Sequence, residues 1–166
     1  QEKETVYSTS TTYRLPPSGK LLEAGSKKFK DKNTGQAIKL IKESILSDPN
    51  NAKAHYRLGT IYAHEGKFPR AIESFRKTIE IDSRFTKAYV NLGIVYGKLK
   101  KYKQALTLLK KALKMDKRNP RIYYNIATTC LASGNKKAAI KYFKKAKALS
   151  LKYNDSQLLA KIEKFL

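Results

Sequence analysis

The sequence predicts an all-α fold, a solenoid of four stacked helix-turn-helix repeats followed by a C-terminal capping helix. Three observations predict it. Small residues recur every 34 residues in two series, Gly25, Gly59, Gly93, Ala127 and Ala37, Ala71, Ala105, Ala139. Bulky residues keep the same interval in the series Ile41, Phe75, Leu109, Phe143. Within each interval, apolar residues follow helical spacing. Such a period indicates a supersecondary unit that buries its apolar face only by stacking on its neighbours.

Each repeat is predicted to contain two antiparallel helices. In residues 52–85, steps of three and four separate the apolar positions, which are Leu58, Ile61, Tyr62, Phe68, Ala71, Ile72, Phe75 and Ile79. This spacing is typical of two amphipathic helices. A break at residues 65–67 separates them. Pro69 follows the break, in the first turn of a helix, where its missing N–H costs nothing.

Proline and asparagine mark where repeats begin and end. Pro49 disfavours helical geometry at Asp48, so the second helix of the first repeat is expected to stop there. Asn119 can cap a helix that starts at Pro120. The predicted divisions are an N-terminal extended tail at 1–17, four repeats at 18–51, 52–85, 86–119 and 120–153, and a capping helix at 154–166.

The two central repeats resemble the tetratricopeptide repeat family. The second reads HYRLGTIYAHEGKFPRAIESFRKTIEID and the third YVNLGIVYGKLKKYKQALTLLKKALKMD. Both carry the family's Leu-Gly, Tyr, Ala pattern over its 34-residue period. The outer repeats depart from it: Lys28 stands where Tyr62 and Tyr96 stand, and Ala127 replaces the glycine. The resemblance implies a right-handed superhelix whose first helices line a concave groove and whose second helices form the outer wall.

The resemblance also implies a function, that of a non-catalytic adaptor or scaffold for protein–protein interaction. The residues expected at its groove are Lys53, Lys87 and Arg121; Tyr56, Val90 and Tyr124; Asn91 and Asn125; and Thr60, Ile94 and Thr128. Cations, amides and aromatic rings together suit a peptide segment that carries acidic residues. The expected partner is therefore another protein or peptide, with an acidic segment bound in the groove.

The distribution of charge suggests an alternative function. The net charge is +23, and +17 of it lies in residues 86–153. Cations on the outer helices form a second ladder of Lys42, Arg76, Lys110 and Lys144, flanked by Lys111 and Lys145. Such a stripe can bind a polyanion, either nucleic acid or an anionic membrane surface. It can also be a solvated surface that only maintains solubility.

The sequence offers little for catalysis. It lacks a Gly-rich phosphate-binding motif, and the two histidines, His55 and His64, have no cysteine or acidic cluster beside them to complete a metal site. His55 shares an aromatic position with Tyr89 and Tyr123, and Cys130 stands in a tyrosine position, so both are expected to be packing residues. We expect no enzyme activity, no cofactor and no metal.

The two ends carry separate expectations. Residues 1–17 lack helical periodicity and are expected to lie extended along their own or a neighbour's groove, which would allow self-association. The stripe of Leu158, Leu159, Ile162 and Phe165 is expected to cover the last repeat. Because the sequence starts at Gln1, we expect an exported or periplasmic protein after signal removal, with the cytoplasm as the alternative.

Overall fold

A computed structural model describes residues 15–166, which fold into nine α-helices without a strand in that range. The predicted all-α helical-repeat solenoid is confirmed. The helices pair as α1 (Ser18–Lys30) with α2 (Thr34–Ser47), α3 (Ala52–His64) with α4 (Phe68–Ile81), α5 (Thr86–Lys98) with α6 (Tyr102–Met115), and α7 (Pro120–Ala132) with α8 (Lys136–Lys152), and α9 (Ser156–Ile162) follows. The predicted tail, residues 1–17, lies outside the described residues except for its last three.

The turn inside every helix pair has one geometry. The second residue after the first helix has a positive φ in all four pairs, at Lys32, Gly66, Lys100 and Gly134. In the third pair, the Lys100 N–H donates to the Gly97 carbonyl and the Lys101 N–H donates to the Tyr96 carbonyl, both at 2.9 Å. This is a Schellman motif, which satisfies the last carbonyls of the first helix. The 34-residue repeat therefore extends to the backbone conformation of a single turn residue.

Aspartates end the second helices of the first three pairs. Asp48, Asp82 and Asp116 each follow the helix, and each carboxylate accepts the N–H of the residue two positions later. This local hydrogen bond competes with continued helix. In the fourth pair the equivalent position is Ser150, which lies inside α8, and that helix has 17 residues where the other second helices have 14.

The repeated glycines pack against bulky side chains. A Cβ placed at Gly59 would lie 2.8 Å from the Phe75 ring, and one at Gly93 would lie 2.8 Å from Leu109. Both neighbours are fully buried. A Cβ at Gly93 would also lie 3.3 Å from the Ala105 carbonyl oxygen, so the bulky side chain and the backbone of the next helix both occupy this space. The glycines and the bulky residues are therefore two halves of one contact.

The shared aromatic position holds the loop before each first helix. Its side chain bonds the carbonyl six residues earlier in three successive repeats: His55 with Pro49, Tyr89 with Ser83, and Tyr123 with Lys117, at 3.0 to 3.1 Å. Histidine Nε2 reproduces the reach of a tyrosine hydroxyl. The position has a structural role.

The short helix α9 covers the end of the array. Leu158 is 3% exposed and Ile162 is 0% exposed, whereas Leu159 is only half-buried. Phe165 stays exposed at its edge, yet its ring stacks on Phe143 of α8 with the centroids 4.7 Å apart. Two of the four residues expected to form the capping stripe, Leu158 and Ile162, therefore carry its buried contact.

Candidate groove for a peptide ligand

A cleft of about 480 Å³ lies along the first helices of the last three pairs, with α9 at one end. Helices α3, α5 and α7 each contribute, so the cleft lies where the resemblance implies a groove. Eight of the eleven residues expected at the groove line it together: Tyr56, Lys87, Val90, Asn91, Ile94, Arg121, Tyr124 and Asn125.

The other three expected residues lie outside this cleft. Lys53 is exposed near the start of α3. The Thr60 hydroxyl donates to the Tyr56 carbonyl of its own helix at 2.9 Å, and the Thr128 hydroxyl donates to the Asn125 carbonyl at 3.1 Å. Thr128 lines a smaller adjoining depression with Ile94.

Packing fixes the apolar side of the cleft. The Tyr56 ring packs against Phe85 with centroids 4.9 Å apart, and its hydroxyl accepts a hydrogen bond from Asn91 Nδ2 at 3.1 Å. This bond ties α3 to α5. Tyr124 makes an edge contact with Phe143, at a centroid distance of 5.8 Å. The two tyrosines are therefore positioned before any ligand arrives, which lowers the entropy cost of binding.

Cations outnumber carboxylates in the cleft lining. Lys87, Arg121 and Lys161 are exposed there, and Asp116 is the acidic residue of the lining. Arg121 also forms a hydrogen-bonded ion pair with Asp155, between Nη2 and Oδ2 at 3.1 Å. Arg121 remains 60% exposed in this pair. Its guanidinium is therefore oriented by Asp155 while it stays open to solvent.

The contribution of α9 to the groove was not foreseen from the sequence. Leu158 and Lys161 line the cleft, and Asp155 caps α9 by accepting the Leu158 N–H at 3.0 Å. The signal was present, since Asp155 and Leu158 stand 34 residues after Arg121 and Tyr124. The capping helix continues the register of the first helices, so it extends the groove as well as closing the core.

The outer cations differ in their surroundings. Lys42 and Arg76 line a broad depression beside α2 and α4, and Arg76 donates to the Tyr96 hydroxyl at 2.7 Å. Lys144 and Lys145 line a separate depression on α8. Between them, Lys110 is exposed on α6, and Lys111 places its ammonium 4.8 Å from the centre of the Tyr89 ring.

Side chains that could support metal or thiol chemistry are sparse in residues 15–166. That range contains no group of three or more His, Cys, Asp or Glu side chains arranged to hold a metal ion. Burial raises the pKa of the Cys130 thiol, and the positive charge of Lys110 opposes this shift. A buried thiol with a raised pKa is a poor nucleophile. None of the described helices is long and apolar enough to cross a membrane.

Sequence comparison assigns the family. The model of the tetratricopeptide repeat matches twice, over residues 50–118 and 85–152. The fold and the groove are those of a helical-repeat scaffold for protein–protein interaction. Scaffolds of this class are typically non-catalytic. The chain belongs to the tetratricopeptide repeat family. None of the curated proteins matches the sequence.

Several solved structures share the architecture. A crystal structure of MamA is 25% identical, with a TM-score of 0.77, and the alignment covers 83% of this chain and 81% of that one. A second MamA crystal structure is also 25% identical, with a TM-score of 0.74 and coverages of 84% and 76%. MamA 41-end from Desulfovibrio magneticus RS-1 is 19% identical, with a TM-score of 0.73 and coverages of 91% and 94%.

Proposed function

We propose that this protein is a non-catalytic scaffold that binds an acidic peptide segment in the concave cleft. The observation that carries the proposal is the convergence of Lys87, Arg121 and Lys161 on one cleft whose remaining lining is largely amide and apolar. Carboxylates of a ligand would meet these cations, and its apolar side chains would pack beside Tyr56 and Tyr124.

The proposal assigns separate tasks to the parts of the chain. Residues 18–153 form four repeats, at 18–51, 52–85, 86–119 and 120–153, and residues 154–166 cap them. The helix bounds support this division, because a first helix starts at Ser18, Ala52, Thr86 and Pro120. Ligand recognition falls to the last three pairs and α9, since only these line the cleft.

The proposal extends to self-association through the N-terminal segment, residues 1–17. Residues 1–14 lie outside the described part of the chain, so the support comes from the sequence alone. It is the hydroxyl-rich, β-branched stretch TVYSTSTT at residues 5–12. Deletion of residues 1–17 should reduce the mass measured by light scattering. An unchanged mass would contradict this extension and leave the groove proposal intact.

A titration tests the groove. The probe is a fluorescent peptide in which glutamates alternate with leucines, and we expect Lys87→Ala/Arg121→Ala to weaken binding about tenfold, since each exposed charge pair contributes up to ~1 kcal/mol. The matched control, Lys103→Ala/Lys110→Ala, removes two exposed lysines from α6, outside the cleft lining. Equal weakening by both pairs would contradict the proposal, because it would show general attraction to a cationic protein.

The polyanion alternative has less structural support. Four of its six cations line two different depressions, and Arg76 and Lys111 already contact tyrosines. In the same titration, the polyanion alternative predicts that Lys103→Ala/Lys110→Ala weakens binding more than Lys87→Ala/Arg121→Ala does. A single-stranded oligonucleotide should then bind more tightly than the peptide, with an affinity that falls steeply as salt rises and that depends on Lys110 and Lys144.

A further inference from the structure

The outer face of α8 carries a depression whose floor is apolar and whose rim is cationic. Ile140 lies in the depression with 45% of its surface exposed, and the rings of Tyr123 and Tyr142 stand beside it, 6.4 Å apart. The rim consists of exposed lysines, which are Lys137, Lys141, Lys144 and Lys145. The depression measures about 700 Å³ and shares no residue with the concave cleft.

The charge of this face is uncompensated. Residues 120–153 contain eight Lys and Arg and no Asp or Glu. Within residues 15–166, only one lysine of α8 forms an ion pair, namely Lys147 with Glu163 at 3.9 Å, and Lys147 is not on the rim. A group of like charges held this close on one helix face repels itself. An anionic partner would relieve that repulsion.

The shape of the depression selects among anionic partners. A bilayer would need apolar side chains that project beyond the lysines, whereas Ile140 lies among them and is more than half covered. Single-stranded nucleic acid would need open aromatic faces for stacking. The Tyr123 and Tyr142 rings instead pack on each other, and the Tyr123 hydroxyl is bonded to the Lys117 carbonyl at 3.1 Å.

We propose that this depression is a second docking site, which takes an acidic protein segment bearing one large apolar side chain. The apolar side chain would sit on Ile140, beside the two tyrosine rings. Acidic residues on either side would meet Lys137, Lys141 and Lys145, which follow one another at four-residue spacing along α8. The protein would then hold two partners at once, one in the concave cleft and one on the outer wall.

The experiment uses a fluorescent synthetic peptide with a central phenylalanine flanked by glutamates, and the same peptide with alanine at the centre. Both are titrated into the full chain carrying Lys87→Ala/Arg121→Ala, which removes cations of the concave cleft. We expect Ile140→Ser to weaken the phenylalanine peptide about tenfold, and the alanine peptide to bind about tenfold more weakly than the phenylalanine peptide. Because Ile140 is exposed, Ile140→Ser should fold normally, which circular dichroism checks.

Charge variants complete the test. Lys141→Gln/Lys145→Gln should weaken the phenylalanine peptide several-fold, and the matched pair Lys103→Gln/Lys110→Gln on α6 should have a smaller effect. If Ile140→Ser and the alanine peptide both leave affinity unchanged, the site is overturned, because the depression then contributes nothing. Phosphatidylserine vesicles or an oligonucleotide would also overturn it if they bound more tightly than the phenylalanine peptide and their binding depended on Ile140. Loss of all peptide binding in the Lys87→Ala/Arg121→Ala background would place the peptide in the concave cleft and refute a second site, while supporting the first.

Discussion

Asp155 stands 34 residues after Arg121, in the same register, and its carboxylate accepts a hydrogen bond from the Arg121 guanidinium at 3.1 Å. The ladder of cations along the first helices, Lys53, Lys87 and Arg121, therefore ends in an acid that pairs with its last member. One carboxylate oxygen of Asp155 holds Arg121, and the other caps α9. The closing helix and the proposed binding cation are thus linked through a single side chain.

Asp155→Asn should strengthen acidic-peptide binding at the groove. The amide oxygen can still cap α9, so stability should change by less than about 1 kcal/mol, while a negative charge beside Arg121 is lost. We expect a three- to tenfold lower Kd for the glutamate–leucine peptide, because less than about 1.4 kcal/mol of repulsion is removed.

Asp155→Ala is the matched comparison. It removes the charge and also the cap, and should cost about 1 kcal/mol in the free energy of unfolding measured by urea denaturation. If Asp155→Asn binds the peptide more weakly than the natural protein does, Asp155 helps the ligand by orienting Arg121. The expectation that the Asp155 charge repels an acidic ligand would then be wrong.

Two glycines of α5 should respond in opposite ways to alanine. At Gly93 the new methyl would lie 2.8 Å from buried Leu109, so Gly93→Ala should destabilise the protein by about 1 to 3 kcal/mol. At Gly97 the nearest atom outside the neighbouring residues and backbone of α5, Thr129 Oγ1, would be 3.9 Å from the new methyl, so Gly97→Ala should stabilise the protein by about 0.5 to 1 kcal/mol through helix propensity. Thermal or urea unfolding of both variants checks this; a shift of the same sign in each would refute the packing account.

The turn residues inside the helix pairs give a second stability test. Lys100 has a φ of 58°, a conformation that costs a residue with a Cβ about 1 kcal/mol and costs glycine little. Lys100→Gly should therefore stabilise the protein by about that amount in urea denaturation.

Gly134 provides the reverse change at the equivalent turn. Its φ is 86°, so Gly134→Ala should destabilise the protein by about 1 to 2 kcal/mol. Apart from its two chain neighbours, no residue has an atom within 4 Å of a Cβ placed there, so a loss would come from local backbone strain and not from a clash with a packed side chain. Equal stability of Gly134→Ala and the natural protein would contradict this reading.

Cys130 should react slowly with thiol reagents in the folded protein. It is buried, and burial raises the pKa of its thiol, so little thiolate is available near neutral pH. We expect modification by a chromogenic disulfide reagent to be about a hundredfold slower than in the unfolded chain, since reaction then waits for local opening. In a Cys130→Ser background, Leu131→Cys is the control, because Leu131 is 37% exposed and a thiol there should react quickly.

Periodicity predicted the fold because packing between repeats imposes it on the sequence. Gly59 and Phe75, or Gly93 and Leu109, must keep their spacing for two helices to approach. The packing of the core is therefore directly visible as a repeat in the sequence. The turn conformation is harder to recognise in the sequence, since two of the four positive-φ positions hold lysine in place of glycine. For the cleft, the register of the first helices predicts eight of the lining residues, whereas the apolar stripe of α9 predicts only a capping role. Side-chain contacts such as that of Arg76 with the Tyr96 hydroxyl have no sequence signature, so the sequence does not indicate which outer cations already contact other side chains.

The central claim is that the concave cleft binds the ligand, and NMR mapping of the bound peptide tests it most directly. When the glutamate–leucine peptide is titrated into isotope-labelled protein, the account predicts that amide shifts concentrate at Lys87, Asn91, Arg121 and Asn125 on α5 and α7. It also predicts that about ten times more peptide is needed to produce these shifts in Lys87→Ala/Arg121→Ala. Shifts confined to α6 and α8, unaffected by that pair of substitutions, would contradict it.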